Sequence, residues 1–203
     1  RPSVDELFSA ALEDKNQVIV YGSSKQGKTS LTLKHLSPDE YVKVECSPQT
    51  QAIDIYRSML RQSNITYFES DTQGLSFEIG SNINAGVKIK VPFIGEASLG
   101  ATTADKTTQT SSSKELYIEY NLELAQDVSE LLKKKKIEKF IVLENFHYLS
   151  LEVQERLAYD LRVFQDLGVI FIVLGIWREA NRLVQFNGDL LDRVTEVPVE
   201  PWL

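Results

Sequence analysis

Residues Gly22-Ser23-Ser24-Lys25-Gln26-Gly27-Lys28-Thr29 constrain this chain most, because they follow the apolar run Val18-Ile19-Val20-Tyr21 and open a stretch, Ser30-Leu31-Thr32-Leu33-Lys34, able to form a helix. This is the spacing G-x-x-x-x-G-K-[ST] in a strand–loop–helix setting. Two glycines let the loop curl so that successive backbone N–H groups point inward at phosphate oxygens, where a helix N-terminus adds partial positive charge. Gly22, Ser23, Ser24, Lys25, Gln26, Gly27, Lys28, Thr29 and Ser30 then surround a nucleotide's phosphates. Lys28 reaches the β and γ phosphates, and the Thr29 hydroxyl ligates Mg²⁺. The competing reading is a bare glycine-rich turn between strand and helix.

Around that loop, short apolar runs alternate with helical patterns, as expected of buried parallel strands joined by helices. The runs predict strands at 18–21, 41–45, 140–143, 169–174 and 194–199, with helices at 4–13, 28–35, 50–62, 122–135 and 151–167. Ile53, Tyr56, Met59 and Leu60 share one helical face; Val153, Leu157, Leu161 and Phe164 share another. The expected fold is an α/β three-layer P-loop NTPase with a mostly parallel five-stranded sheet. Residues 71–120 break the rhythm. Leu75, Phe77 and Ile79 alternate, as do Ile83 to Phe93, with Gly80-Ser81-Asn82 as a turn signal, so a β-hairpin insertion is expected. Residues 101–113, rich in Thr and Ser, read as a mobile loop, and 116–120 as one more strand. The organisation is thus a core at 1–69 and 121–203 around an insertion at 70–120. The insertion either projects to bind a partner or shields one sheet edge.

With 203 residues, 42% apolar and 25% charged, the chain can bury a substantial core. Its net charge of −7 disfavours a main role in gripping nucleic acid. The lysine block at 133–136 reads first as a solvated helix end and second as a nucleic-acid patch. The single cysteine, Cys46, supports neither an intrachain disulfide nor a zinc cluster and is expected to pack at a strand end. No apolar run reaches the roughly 18 residues of a membrane span, so a cytoplasmic protein without membrane contact is expected. The opening Arg1-Pro2 suggests an excised module with other domains of a longer chain on both sides.

Hydrolysis needs more than a phosphate loop: usually a second strand whose end carries an Asp for the magnesium shell, and often a Glu that activates water. Here strand 140–143 is followed by Glu144 and Asn145. Glu144 can order magnesium-bound water; its alternative is a carboxylate merely solvated at a strand end. Asn145 can orient a water but cannot take its proton. The expectation is a chain that binds ATP·Mg²⁺ and hydrolyses it slowly or not at all.

A broader pattern joins these features. Val18-Ile19-Val20-Tyr21-Gly22 and Gly27-Lys28-Thr29-Ser30-Leu31 are followed by Tyr41-Val42-Lys43-Val44-Glu45-Cys46 and Asp54-Ile55-Tyr56. Then come Ile141 to His147, Gly175-Ile176-Trp177-Arg178-Glu179 and Gly188 to Arg193. Together they resemble the ATPase core shared by STAND signalling NTPases, the NLR-like group, and the origin-recognition-like branch of AAA+ proteins. The resemblance covers nearly the whole chain except 70–113. It implies that ATP occupancy acts as a switch and that assembly, as a homo-oligomer or with other domains, is the output. It also implies a γ-phosphate sensor near Gly175 to Arg178, although the usual Asn or Thr is missing directly after Leu174. Arg193 matches the family's arginine region and completes a site in cis or on a neighbouring subunit; a surface ion pair with Asp189 or Asp192 is its alternative. His147 matches a family preference, with a packed, hydrogen-bonded histidine as the plainer reading. His35 belongs to a helix surface or core edge. The family's helical lid and winged helix would begin where this chain stops.

Two functions follow: a regulatory ATP-binding module controlling oligomerisation or signalling, including in bacterial antiphage defence, or an ATP-driven nucleic-acid loader or remodeller. The acidic balance favours the first. A small-molecule kinase would need an acceptor pocket that the sequence does not show, and no Asn-Lys-x-Asp segment supports guanine recognition.

Overall fold

The apolar runs become strands of one sheet, and the stretches between them become the helices that cover it. The computed structural model describes residues 2–70, 74–78, 120–176 and 182–199, with side chains over 3–65, 120–176 and 183–199. In chain order the elements are α1 (Pro2–Glu13), β1 (Gln17–Tyr21), α2 (Lys28–His35), β2 (Tyr41–Glu45), α3 (Ala52–Gln62), β3 (Thr66–Ser70), β4 (Gly74–Glu78), α4 (Ala125–Lys134), β5 (Phe140–Glu144), α5 (Leu151–Asp166), β6 (Phe171–Gly175), α6 (Arg182–Phe186) and β7 (Val194–Pro198). Two compact units result, one of Arg1–Ile65 with Asn121–Leu203 and one of Thr66–Tyr120.

In the larger unit five strands run in the order β2-β5-β6-β1-β7, and every neighbouring pair is parallel. The sheet therefore needs a helical crossover for each return, which the helical stretches between the apolar runs supply. Side chains alternate between its faces. Val18 and Val20, Val142, Ile172 and Leu174, and Val197 join Phe8 and Ala11 of α1 and Leu31 of α2 in one buried cluster. The intervening residues serve the opposite face, where the Phe171 ring packs on Phe164 of α5, itself in edge contact with Tyr56 of α3. This is an α/β three-layer P-loop NTPase-like fold, parallel throughout its main sheet.

Local chemistry sets the helix starts. The α3 helix begins at Ala52 rather than at 50 because Gln51 and Asp54 form a capping box, with the Gln51 N–H donating to Asp54 Oδ2 at 2.9 Å. The α4 helix begins three residues after the periodicity suggests. Asn121 builds a turn first: its Oδ1 accepts from the Glu123 N–H at 2.9 Å and its carbonyl from the Leu124 N–H at 2.9 Å. The α1 helix is clamped to α2 through Asp5, which accepts from Lys34 at 2.7 Å and meets His35 Nε2 at 2.9 Å. These partners, Lys34 first, hold the Asp5 carboxyl down at about 2. His35 is thus a partly buried core-edge residue, its ring also against Phe8.

The smaller unit contains β3 and β4, paired antiparallel with Thr66 opposite Glu78. The alternating segment expected at 75–79 is β4, and its described partner is β3, which the sequence reading did not mark. Residues 83–93, 101–113 and 116–119 lie outside the described residues. Cys46 is buried just beyond β2, where desolvation pushes its thiol up to about 12.

Gln17 is the fully buried polar residue that fixes where β1 enters the sheet. Its Nε2 donates to the carbonyls of Leu161 (2.9 Å) and Val169 (3.2 Å), and its Oε1 accepts from the Phe171 N–H (2.6 Å). Leucine at this position leaves these main-chain groups unpaired in a dry environment. Gln17→Leu is expected to lower stability by about 2–4 kcal/mol. Urea unfolding checks this; a midpoint unchanged from the parent contradicts it.

Candidate functional site

The phosphate loop forms where β1 ends, and two glycines shape it for different reasons. At Gly22 the obstacle is contact: an added Cβ would lie 2.3 Å from the Val199 carbonyl oxygen. Val199 follows β7 and is held there by its N–H, which donates to the Tyr21 carbonyl at 2.8 Å. At Gly27 a Cβ would meet nothing within 4 Å, but φ is +83°, the left-handed region that glycine enters freely.

Gly27 is the N-cap of α2, and no side chain caps that helix. The first intrahelical bond runs from the Leu31 N–H to the Gly27 carbonyl at 2.8 Å, so the preceding first-turn amides have no carbonyl four residues back to bond. Thr29 and Ser30 are exposed at this end. Lys28 folds back over the loop, its Nζ donating to the carbonyls of Gly22 (2.9 Å) and Ser23 (2.7 Å), and partial burial lowers its pKa. Uncapped amides and a desolvated ammonium within one turn suit an anion.

Opposite the loop stands the end of β5. Because β6 lies between β1 and β5, a cleft opens over the end of β6, at the carboxyl ends of the strands, where open α/β sheets hold their ligands. Its volume is about 340 Å³, and Ser24 to Ser30, Glu144, Asn145, His147 and Leu174 to Ile176 line it. Seven of the nine loop residues singled out from the sequence line this cleft; Gly22 sits behind it under Val199, and the Ser23 carbonyl accepts from Lys28. A second cleft of about 330 Å³ lies on the other side of the same loop, between Val4 and Asp5 of α1, Lys34 of α2, and Val199.

Glu144 is mostly buried and lies 3.7 Å from Lys43 Nζ on the neighbouring strand; Lys43 also pairs with Glu45 at 3.1 Å. Glu45 first, and Glu144 with it, raise the Lys43 pKa against its desolvation. Asn145 takes φ +58°, a conformation Asn tolerates better than most residues, and this turns the chain from β5 into the 3₁₀ turn Phe146–Tyr148. That turn brings His147 to the cleft. Burial, then the charge of Lys28, lowers the His147 pKa. Among the described residues its side chain makes no hydrogen bond, and Nδ1 is buried without a partner.

A hydroxyl at Thr29 and a carboxylate at Glu144 face one cleft. No group of three or more His, Cys, Asp or Glu suited to a metal occurs among the described residues. That donor set fits Mg²⁺ arriving with phosphates, since this ion keeps several waters and needs only one or two protein ligands. Arg193 is not brought to the cleft. It precedes β7 at the far end of the sheet, where its carbonyl accepts from the Gln17 N–H at 3.0 Å and its guanidinium pairs with Asp166. The ion-pair alternative named Asp189 or Asp192; Asp189 instead pairs with Arg162 at 2.7 Å. Trp177 and Arg178 lie outside the described residues.

Sequence reasoning missed Lys43 and Val199. The signal for Lys43 was available, since β2 alternates buried valines with exposed Lys43 and Glu45, a pattern of an edge strand. Nothing local marks Val199, whose role depends on β7 lying beside β1.

Fold and loop together define the class, a P-loop NTPase-like α/β domain. No family model matches the chain, and no curated protein matches it. Among solved structures it is similar to a chain in the structure of Drosophila ORC bound to AT-rich DNA and Cdc6, with 11% identity and a TM-score of 0.46. The match covers 100% of this chain and 56% of that one, so the chain spans little more than half of that neighbour's length. Among the described residues no helix is long and apolar enough to cross a membrane.

The two glycines differ in what they tolerate. Gly22→Ala is expected to cost about 3 kcal/mol, because main-chain atoms of Val199 must move, and Gly27→Ala about 1 kcal/mol of backbone strain. Thermal or urea unfolding of both variants checks the order; Gly27→Ala proving the more damaging contradicts it.

Proposed function

We propose that the chain binds ATP·Mg²⁺ in the cleft at Lys28 and works as a nucleotide-dependent switch controlling oligomerisation or signalling, with slow or absent hydrolysis. The observation that carries this reading is that Lys28 and Thr29 line the same cleft as Glu144 and Asn145, although 116 positions separate Lys28 from Glu144. The loop amides and Lys28 hold the phosphates, while Thr29 and Glu144 hold the magnesium directly or through water. Bound Mg²⁺ would neutralise phosphate charge. The second cleft, sharing Lys25 to Gly27 and Ser30 with the first, offers space for base and ribose.

Weak hydrolysis follows from the β5 end. Asn145 orients a water without accepting its proton. A bound triphosphate that persists suits a switch better than a turnover enzyme. Arg193, distant from the cleft within one chain, enters a site only if a second copy supplies it.

Titrating ATP·Mg²⁺ while measuring mass by light scattering tests the proposal. One ATP bound per chain, recovered intact, with a rise in mass, is the expected result. Lys28→Ala is expected to weaken binding by about 100-fold, as loss of a charge-assisted contact implies. A parent chain that binds no ATP, or a Lys28→Ala variant that binds it equally well, overturns the proposal. Rapid turnover abolished by Asn145→Ala overturns the weak-hydrolysis part.

A further inference from the structure

His147 sits on the cleft wall facing the loop, one residue into the 3₁₀ turn that Asn145 initiates. Its backbone is anchored by the fully buried Phe146 before it, and its ring lies 4.2 Å, centroid to centroid, from that of Tyr148. Its two nitrogens have different surroundings. Nδ1 is buried without a partner among the described residues, whereas Nε2 is not one of the buried, unpartnered atoms and makes no hydrogen bond among the described residues. A proton on Nδ1 would be a buried donor without an acceptor, which costs more than leaving a bare ring nitrogen in the same place. The neutral ring therefore carries its proton on Nε2, the nitrogen with access to the cleft. Burial, then the nearby Lys28 charge, lowers the ring's pKa and so favours its neutral form.

This leaves one N–H donor, with no protein acceptor, on the wall opposite the α2 amides. A phosphate chain held at one end by those amides extends across the cleft toward Glu144 and His147. A triphosphate carries one phosphate more than a diphosphate, and that terminal group is the one left to meet a donor on the opposite wall. We propose that His147 reads the terminal phosphate, its Nε2–H donating to a γ-phosphate oxygen, and so distinguishes ATP from ADP. The inference rests on the nucleotide-binding reading and adds the residue through which the switch tells its two states apart. It gives His147 a role that does not need a proton-accepting group at position 145.

The test compares dissociation constants for ATP·Mg²⁺ and ADP·Mg²⁺ in the parent, His147→Phe and His147→Gln. Phenylalanine keeps the ring without the donor; glutamine keeps a donor without the ring. The parent is expected to prefer ATP. His147→Phe is expected to lose about tenfold in ATP affinity, with ADP affinity within about twofold of the parent, and His147→Gln to recover part of the difference. Circular dichroism establishes that each variant is folded, and if His147→Phe is not, the glutamine variant is compared with His147→Ala. Equal loss for both nucleotides, or no loss for either, overturns the role of His147 while leaving ATP binding intact. A parent that binds neither nucleotide overturns both readings, and the two failures are thereby distinct.

Discussion

The site depends on one helix that starts without a side-chain cap. An α-helix leaves its first amides unpaired, and most helices answer with a Ser, Thr, Asp or Asn at the N-cap. Here α3 and α5 close their first turns with side chains, through Gln51 with Asp54 and through Ser150, while α2, which begins at Gly27, and α4, which begins after Leu124, do not. Those amides stay available because the loop before them is fixed from behind. The Val199 carbonyl occupies the place of a Gly22 side chain, and Lys28 ties the carbonyls of Gly22 and Ser23 to the first turn. The loop is thus shaped by main-chain contacts rather than by its own exposed serines.

The sheet turns that local feature into a cleft. With β6 between β1 and β5, the loop and the β5 end stand one strand apart, far enough to admit a ligand and close enough for both to touch it. The same register places Lys43 beside Glu144, since Glu45 is opposite Glu144. It also carries Arg193 to the other end, since β7 runs parallel to β1 and its first residue lies beside Gln17. One topology therefore explains both the residues that gather and the one that does not.

The parts legible in the sequence were those with short-range signatures. Glycine spacing marked the loop, and runs such as Val18 to Tyr21 and Phe140 to Leu143 marked strands buried on both faces. Whether a strand's partner is near or far cannot be read from the run itself, so β3, the described partner of β4, was missed. His147 illustrates the same limit at the site: its sequence neighbours suggest a packed ring, and only the turn after Asn145 shows it on the cleft wall. The close approach of Val199 to Gly22, 177 positions away, has no local trace at all.

The central claim is that main-chain amides at the start of α2 wrap a nucleotide's phosphates. Amide hydrogen exchange of residues 23–30, with and without ATP·Mg²⁺, tests it most directly. Slower exchange concentrated in this loop and the first turn of α2, and lost in Lys28→Ala, is the predicted result. Unchanged exchange there at a nucleotide concentration that saturates binding would contradict it, because the ligand would then be held elsewhere.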